Sequence, residues 1–277
     1  MRIRYGVDIY QVVKDFYESA NCEKRIIGKT LFGRSVYALK CGNGNPVGIA
    51  QYAMHGREFV TARLAIAHFK RGISRGSVWL CPLVNPDGAL LSERGISTAP
   101  TAWQDRLLSI NGNADFSLWK ANGRGVDLNV NFDAKWGTGK KNVFSPNSEN
   151  YVGESAFSEM ETRALRDFTQ EISPDYTVSF HTKGEEIYWR FYQSQEASKR
   201  DRTLAEKISQ TTGYPLADAK GSAGGYKDWC IQTLKIPSFT IEVGKDAFTH
   251  PLGMDALADI IEKNIDVLDV LSKAYFI

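Results

Sequence analysis

The segment that decides the fold is Gly-Ile-Ala-Gln-Tyr-Ala-Met at 48–54, followed by His55-Gly-Arg-Glu58 and then by residues 60–71. The first seven residues form a short, mostly apolar run that predicts a buried strand. Residues 60–71 carry apolar side chains at helical spacing and predict a helix. His55 and Glu58 therefore lie in the loop and first turn at the carboxyl end of a strand, where open α/β sheets bind their ligands.

A second histidine stands at the end of another apolar run. Residues 176–180 read Tyr-Thr-Val-Ser-Phe and predict a strand that ends at His181. A histidine and a glutamate three positions apart, with one remote histidine, form the ligand set of a catalytic zinc site. Such a site leaves the fourth metal position to water. We therefore predict one zinc ion per chain, bound by His55, Glu58 and His181.

Each half of this pattern has a simpler explanation when it is taken alone. A His-x-x-Glu tetrapeptide is weak evidence of a metal site, and a lone His181 fits a core histidine bonded to a backbone carbonyl. The chain has four histidines in all. We assign His68, inside the 60–71 helix, to the surface or the boundary of the core. His250 follows Glu242 closely and is a candidate to line a cleft.

Several longer motifs extend the pattern along the chain. Asn-Pro-Asp-Gly at 85–88 follows the predicted strand 78–84, and Trp-Lys-Ala-Asn-Gly-Arg at 119–124 runs into Gly-Val-Asp-Leu-Asn-Val-Asn-Phe. Later come Gly-Gly-Tyr-Lys-Asp-Trp at 224–229 and Ile-Pro-Ser-Phe-Thr-Ile-Glu-Val-Gly at 236–244. In this order and spacing the chain resembles the zinc metallocarboxypeptidases, of which carboxypeptidase A is the familiar member. The resemblance covers roughly residues 25–275.

The resemblance implies an α/β fold of carboxypeptidase A type, with one domain, three α/β/α layers and a mixed, mostly parallel central sheet. Length and composition agree with this expectation. A chain of 277 residues with 43% hydrophobic content can bury one sizeable core. Helical patterns at 8–19, 158–172, 197–211 and 254–275 alternate with apolar strands, and no linker or repeat interrupts them. We therefore predict a single zinc peptidase domain over residues 1–277.

Two stretches narrow the expected function within the family. Residues 119–129 and 181–189 resemble the bacterial branch that acts on cell-wall peptides, the γ-D-glutamyl-diaminopimelate peptidases. Enzymes that trim protein C-termini usually carry Asn-Arg where this chain has Asn129-Val130. That arginine binds the substrate's terminal carboxylate through two parallel hydrogen bonds, which a valine cannot make. We therefore expect hydrolysis of the γ-D-glutamyl–diamino acid bond of small murein peptides by metal-activated water.

The resemblance also implies the catalytic side chains. Glu242 ends the predicted strand 237–241, so its carboxylate is expected at the same sheet edge as His55 and His181. It matches the family's general base and acid. Arg124 is matched to the arginine that stabilises the oxyanion of the tetrahedral intermediate. The alternatives are a solvated carboxylate at a strand end and a loop arginine paired with Asp127.

Three residues are expected to bind the substrate. Asn129 keeps the amide that contacts a carboxylate in the family, and Arg57 is placed on the acyl side, where it binds the free α-carboxylate of a γ-linked D-glutamate. Lys227 falls at the base of the side-chain pocket and would select a side chain that ends in a carboxylate, as in meso-diaminopimelate. A solvated arginine and an exposed lysine are the alternatives. The family's mobile tyrosine would fall near Lys220, while Tyr226 stands at a different register.

Other functions remain open on the sequence alone. The enzymatic alternatives are a zinc carboxypeptidase acting on ordinary peptides and an amidohydrolase resembling aspartoacylases and succinylglutamate desuccinylases, which share the His-x-x-Glu and the distant histidine. A peptide-binding module without activity is a third alternative, but neither Glu242 nor a zinc ligand is lost. A serine hydrolase is unsupported because the chain has no Gly-x-Ser-x-Gly motif.

Charge and cysteine content exclude several other classes. The chain has 34 basic and 32 acidic residues, so we expect no nucleic-acid surface, and we interpret Lys140-Lys141 as a solvated loop. No apolar run reaches transmembrane length, and the N-terminus lacks the apolar region of a secretory signal. We therefore expect a cytoplasmic protein without a membrane partner. The four cysteines show no Cys-x-x-Cys spacing and are interpreted as mainly buried free thiols.

Overall fold

The fold is built around one mixed β-sheet, seen in a computed structural model that describes residues 6–218 and 221–275. Four of the seven neighbouring strand pairs in this sheet are parallel. The sheet order is β1-β2-β4-β3-β5-β8-β6-β7. The strands are β1 (Lys24–Lys29), β2 (Ser35–Asn43), β3 (Val47–Tyr52), β4 (Gly76–Cys81), β5 (Tyr176–His181), β6 (Glu186–Tyr188), β7 (Leu216–Ala217) and β8 (Ser238–Glu242).

Helices cover both faces of this sheet. Those described are α1 (Ile9–Ser19), α2 (Thr61–Arg71), α3 (Pro86–Arg94), α4 (Thr101–Asn111), α5 (Met160–Ile172), α6 (Gln195–Thr212), α7 (Tyr226–Trp229), α8 (Met254–Asn264) and α9 (Val267–Ala274). No helix within the described ranges has the length and apolar character needed to cross a membrane.

Alternate residues of the central strands pack into two separate hydrophobic clusters, one on each face of the sheet. Tyr52 of β3 belongs to a cluster with side chains of α2, α6, α8 and α9, whereas Ile49 belongs to a cluster with side chains of α5 and α7. Successive strand residues point to opposite faces, so a strand covered on both sides is apolar along its whole length. Complete burial of each such side chain contributes about 1.5–3 kcal/mol. The layers are therefore helix, sheet and helix.

The parallel strands β3, β5 and β8 bring the predicted site residues together. Tyr52 at the end of β3 is in register with Phe180, and His181 at the end of β5 is in register with Glu242. Carboxyl ends of parallel strands meet at one edge of a sheet. His55, three residues beyond Tyr52, consequently lies at the same edge as His181 and Glu242.

His68 was expected at the surface or the boundary, and this prediction is wrong because its side chain is only 2% exposed. Its Nδ1 lies 2.7 Å from the Tyr52 hydroxyl and its Nε2 lies 2.9 Å from the Asn264 carbonyl oxygen. Both ring nitrogens therefore have hydrogen-bond partners inside the core, and these bonds offset the cost of burying the imidazole. Burial lowers the pKa of His68 to about 4, so the ring is neutral.

The C-terminal helix is also different from the prediction of one helix over 254–275. It is divided into α8 and α9 by a turn at 265–266. The carbonyl of Asn264 is bonded to His68, and Asp266 accepts a hydrogen bond from Arg71, so contacts with α2 hold the chain at the turn. The cysteines agree with the expectation, since Cys41, Cys81 and Cys230 are buried and free, while Cys22 is partly exposed and free.

Candidate metal centre

The loop that carries His55 is fixed by the Asn-Pro-Asp-Gly motif. The Asn85 amide donates to the carbonyl oxygens of Met54 and Ala121, each at 3.1 Å, and its oxygen accepts from Gly88 N at 2.9 Å. The loop approaches α3 so closely that a Cβ at Gly56 would lie 2.5 Å from the Gly88 carbonyl oxygen. Glycine at position 56 therefore allows the short 3-10 turn that places His55 and Glu58 at the strand end.

Three buried side chains converge at this strand edge. His55 Nδ1 lies 2.8 Å from Glu58 Oε1, and His181 Nδ1 lies 3.0 Å from Glu58 Oε2. The two Nδ1 atoms are 3.1 Å apart, and one ligand atom of each residue lies within 4.8 Å of the others. Three donor atoms aimed at one point fit a metal ion, and two imidazoles with a carboxylate match a catalytic zinc set. The structure thus brings together the three residues that the sequence predicts as metal ligands.

The charge state of Glu58 favours binding of a cation. Burial favours the neutral form of Glu58, but His55 and His181 outweigh it and hold the pKa of that carboxyl well below its usual range. On the far side of His55, Nε2 lies 3.2 Å from Asp127 Oδ1. A carboxylate at this position favours a proton on Nε2, which leaves Nδ1 free to bind a metal.

Glu242 stands beside this cluster in the wall of a cavity of about 510 Å³. The same cavity is lined by His55, Lys120 and Asn129. Glu242 is half-buried, and the loss of water contacts raises its pKa to about 7. A carboxylate that titrates near neutral pH is suited to accept and return a proton.

Lys120 is the cationic side chain that the structure places near His55. Its Nζ lies 3.0 Å from Asp127 Oδ2, and the side chain is 17% exposed. Trp119 next to it is fully buried with α3 and α4, and the Lys120 carbonyl accepts from Gly56 N at 2.9 Å. Burial opposes the charge of Lys120, but Asp127 and Glu58 raise its pKa, so the ammonium is retained. Lys120 lies within the 119–124 motif, and the sequence pattern indicates no role for it.

Arg124, which the resemblance matches to the oxyanion role, does not line the cavity. Its Nη2 lies 3.3 Å from Glu154 Oε1, and it contributes to a separate small cleft with Tyr151 and Glu159. The cause is local, because the Asn122 side-chain oxygen accepts from the backbone N–H groups of Arg124 and Val126 and closes a turn there. Asp127, the alternative partner for Arg124, is instead paired with Lys120.

Two of the three expected substrate residues line the cavity. Asn129 does so while its side-chain oxygen accepts from Tyr226 N at 3.2 Å. Lys227 is buried, and its Nζ lies 2.5 Å from Asp228 Oδ1 and 3.0 Å from the Arg190 carbonyl oxygen. Arg57 lies outside the cavity lining, where its Nη1 is 3.4 Å from Glu149 Oε2.

The candidates for the family's mobile tyrosine and the Lys140-Lys141 loop differ in how their positions compare with the expectation. Tyr226 is fully buried and its hydroxyl lies 2.8 Å from Thr169 Oγ1, so it is not available to close over a substrate. Lys220 lies outside the described residues. Tyr188 lines the cavity although no role was predicted for it. The Lys140-Lys141 pair, interpreted as a solvated loop, also lines the cavity, so that interpretation is incomplete.

Comparison with known proteins assigns the family. The model of the zinc carboxypeptidase family, Peptidase_M14, matches residues 9–265. The chain is 31% identical over 261 residues to γ-D-glutamyl-L-diamino acid endopeptidase 1 of Lysinibacillus sphaericus, covering 87% of this chain and 65% of that protein. It is 29% identical over 196 residues to murein peptide amidase A of Escherichia coli K12, covering 66% of this chain and 65% of that protein.

Comparison with solved structures supports the fold. Carboxypeptidase A from Helicoverpa armigera superposes with a TM-score of 0.72 at 19% identity, covering 96% of this chain and 71% of that chain. The family model, which matches residues 9–265, shows that the chain belongs to the zinc carboxypeptidase family, and the predicted family and α/β fold are confirmed. It spans about two-thirds of the length of the two bacterial relatives named above.

Proposed function

We propose that this chain hydrolyses the γ-D-glutamyl–diamino acid bond of murein peptides, with zinc held by His55, Glu58 and His181. The observation that carries the proposal is the convergence of these three buried side chains at the sheet edge where His55 and Glu242 line one cavity. A zinc ion bound there supplies a polarised scissile carbonyl and a water of lowered pKa. The remaining chemistry falls to the side chains around it.

Glu242 is assigned the proton transfers. Its carboxylate accepts a proton from the attacking water and delivers it to the amine that leaves. The pKa of about 7 fits both steps, because neither protonation state is strongly favoured at neutral pH. General acid–base assistance of this kind contributes about 10²–10⁴-fold to the rate.

Lys120 is assigned the stabilisation of the oxyanion in place of Arg124. Its ammonium lines the cavity together with His55 and Glu242. Asp127 holds the side chain through the 3.0 Å contact, so the positive charge is in place before the reaction begins. A fixed donor aimed at developing negative charge typically stabilises the transition state by about 3–4 kcal/mol.

The buried end of the cavity supports a diamino acid as leaving group. Lys227 and Asp228 form an ion pair there, so this end offers both a cation and an anion. The side chain of meso-diaminopimelate ends in an ammonium and a carboxylate, and it complements both charges. A lysine side chain ends in an ammonium alone, so it offers no carboxylate to the ammonium of Lys227. The diaminopimelate peptide is therefore the preferred substrate.

Arg57 supports the acyl side of the same substrate. Its Nε is buried and has no hydrogen-bond partner among the described residues, while Nη1 is held loosely by Glu149 at 3.4 Å. A guanidinium with free donors binds a carboxylate through two hydrogen bonds. In a γ-linked D-glutamate the α-carboxylate is free, and this is the group that Arg57 is proposed to bind.

A carboxypeptidase acting on ordinary peptides is the second candidate. The retained Asn129 amide in the cavity favours it, but Val130 replaces the arginine that would bind a terminal carboxylate. An amidohydrolase that acts on small acylated amino acids would not need the ion pair of Lys227 and Asp228 in addition to the metal site. The three candidates therefore differ in the substrate that the zinc-loaded protein cleaves.

Mass spectrometry of products from defined peptides tests the proposal. The substrates are L-alanyl-γ-D-glutamyl-meso-diaminopimelate, the same peptide with an α-linked glutamate, a benzoyl-capped ordinary dipeptide and N-acetylaspartate. Release of meso-diaminopimelate from the first peptide alone is expected. Glu242→Gln protein, loaded with zinc in the same way, controls for contaminating activity. Cleavage of the ordinary dipeptide or of N-acetylaspartate in preference to the first peptide would reject the proposed substrate class.

A further inference from the structure

A buried amide side chain lies in one of the central strands of the sheet. Gln51 belongs to β3 between the buried residues Ile49 and Tyr52, and it has no exposed surface itself. It is in register with Ser179 of β5. Because alternate residues of a strand point to the same face of a sheet, Gln51, Ser179 and His181 share one face. Burial of an amide at this point is unfavourable unless a hydrogen-bond partner offsets it.

The contacts of Gln51 leave its oxygen without a partner. Its Nε2 lies 3.5 Å from Nε2 of His181, while its Oε1 is buried and has no hydrogen-bond partner among residues 6–218 and 221–275. Most buried side-chain acceptors in native proteins are hydrogen-bonded. An acceptor without a donor, carried by the amide that faces an imidazole nitrogen, is therefore in place for a hydrogen bond that forms in another state of the site.

The orientation of His181 decides which of its ring nitrogens carries a proton. Its Nδ1 faces the cluster at 3.0 Å from Glu58 Oε2, and its Nε2 faces Gln51. A nitrogen that binds a metal offers its lone pair, so the proton of the neutral ring then resides on Nε2. This N–H needs an acceptor, and the oxygen of Gln51 becomes one when the amide turns about its Cγ–Cδ bond. His55 has a comparable arrangement, since its Nε2 lies 3.2 Å from Asp127 Oδ1.

We propose that Gln51 is a positioning residue for His181, and that its Oε1 accepts a hydrogen bond from Nε2–H of His181 when Nδ1 binds zinc. This bond fixes the plane of the ring and favours the tautomer that leaves Nδ1 free for the metal. Each ligand histidine then has its own acceptor, the Asp127 carboxylate for His55 and the Gln51 amide for His181. The inference rests on the metal site of the proposed function and is independent of the substrate.

The test measures zinc affinity by competition with a chelator of known affinity. Gln51→Met keeps the length of the side chain and removes the acceptor, and we expect zinc to bind about 10–100-fold more weakly. Gln51→Glu keeps the acceptor and should bind zinc at least as tightly as the wild type. The control is Thr177→Val, which removes a buried hydroxyl from the same face of β5 that is bonded to Ser238, and it should bind zinc like the wild type. Thermal unfolding of the metal-free proteins shows whether each variant folds.

Nitrogen-15 NMR of histidine-labelled wild-type protein adds a readout that needs no variant. In the zinc-loaded protein, Nε2 of His181 should carry a proton that exchanges slowly with water, and an unprotonated Nε2 would overturn the proposal. Unchanged zinc affinity in Gln51→Met, or a Gln51→Glu variant as weak as Gln51→Met, would also overturn it.

The same measurements separate this inference from the proposed function. Wild-type protein that binds no zinc would reject both the metal site and the role of Gln51. Zinc affinity that depends on Gln51 in a protein that cleaves no murein peptide would support that role and reject the proposed substrate alone.

Discussion

Lys120 Nζ lies 3.0 Å from Oδ2 of Asp127, and this carboxylate presents its other oxygen to His55 at 3.2 Å. One buried anion therefore holds a ligand histidine and a cavity lysine in a fixed relation. The neighbouring cations hold the pKa of Asp127 well below its usual range, although burial opposes this. The orientation of the metal ligand and the position of the positive charge are coupled through a single side chain.

Lys120 and Arg124 provide a direct comparison of two cations from one motif. We predict that Lys120→Met lowers kcat/KM by about 10²–10³-fold, because a positive donor beside the reacting carbonyl is lost. Arg124→Met should stay within about threefold of wild type, since Arg124 faces Glu154 and Glu159 outside the cavity. Steady-state kinetics on the diaminopimelate peptide measure both. The reverse order of effects would return the oxyanion role to Arg124.

The metal ligands are tested by metal content. We predict about one zinc per chain in the wild type and a clear loss of zinc in His181→Ala, because two remaining ligands make a much weaker site. The matched control is His68→Gln, which removes a buried histidine of α2 without touching the cluster. Full zinc occupancy in His181→Ala, measured by elemental analysis after dialysis, would remove His181 from the ligand set.

Glu242 is tested by separating chemistry from binding of the metal. We predict that Glu242→Gln keeps its fold and its zinc and loses nearly all turnover, because an amide of similar size cannot accept the proton from water. Circular dichroism and elemental analysis check the first two properties, and product release checks the third. A variant that retained more than about a tenth of the wild-type kcat would show that another group acts as the base.

His68 gives a prediction for stability against pH. Its pKa is about 4 in the folded chain, below the usual value near 6.5. The unfolded chain therefore binds one more proton between these values, so stability is fully present above about pH 6.5 and falls as pH is lowered towards 4. The loss from this group amounts to about 3 kcal/mol. Urea unfolding at pH 7 and pH 4.5 should show a smaller loss in His68→Gln than in wild type, and an equal loss in the two proteins would contradict it.

The parts of the site that were predictable depend on local pattern. The apolar run 48–54 ends directly before His55, and the run 176–180 ends at His181, so strand ends alone bring these ligands to one edge. The position of Glu242 at this edge is predicted in the same way, because it ends a predicted strand. Backbone periodicity alone predicts the strand ends at which these residues lie.

Specific hydrogen bonds, some within a turn and some between distant segments, decided the parts that were not predictable. The choice between Lys120 and Arg124 depends on the turn closed by Asn122, and helical periodicity carries no information about it. His68 is buried because Asn264, 196 positions away, offers a carbonyl to its ring. The pair Lys140-Lys141 reaches the cavity through a bond to Gly221 on another loop. In each case a specific hydrogen bond overrides what composition indicates.

The ion pair of Lys227 and Asp228 gives the prediction with the most specific consequence for the substrate. We predict that wild-type protein prefers a diaminopimelate-terminated peptide over a lysine-terminated one by about 10–150-fold in kcat/KM, equivalent to one charge-assisted contact of about 1.5–3 kcal/mol. Removing Lys227 alone would leave Asp228 buried and unpaired, which costs stability whatever the substrate. The informative variant is therefore Lys227→Met/Asp228→Asn, which removes both charges and keeps the side-chain oxygen that accepts from Gly225 N.

In this double variant the preference for diaminopimelate should fall to within about threefold, with the lysine peptide affected least. Lys135→Met, an exposed lysine outside the cavity lining, is the control for loss of a positive charge on the surface. Competition assays with both peptides in one reaction measure the ratio directly and cancel differences in zinc loading. If the ratio is the same in wild type and the double variant, this ion pair does not read the side chain, and the diamino acid must be selected elsewhere in the cavity.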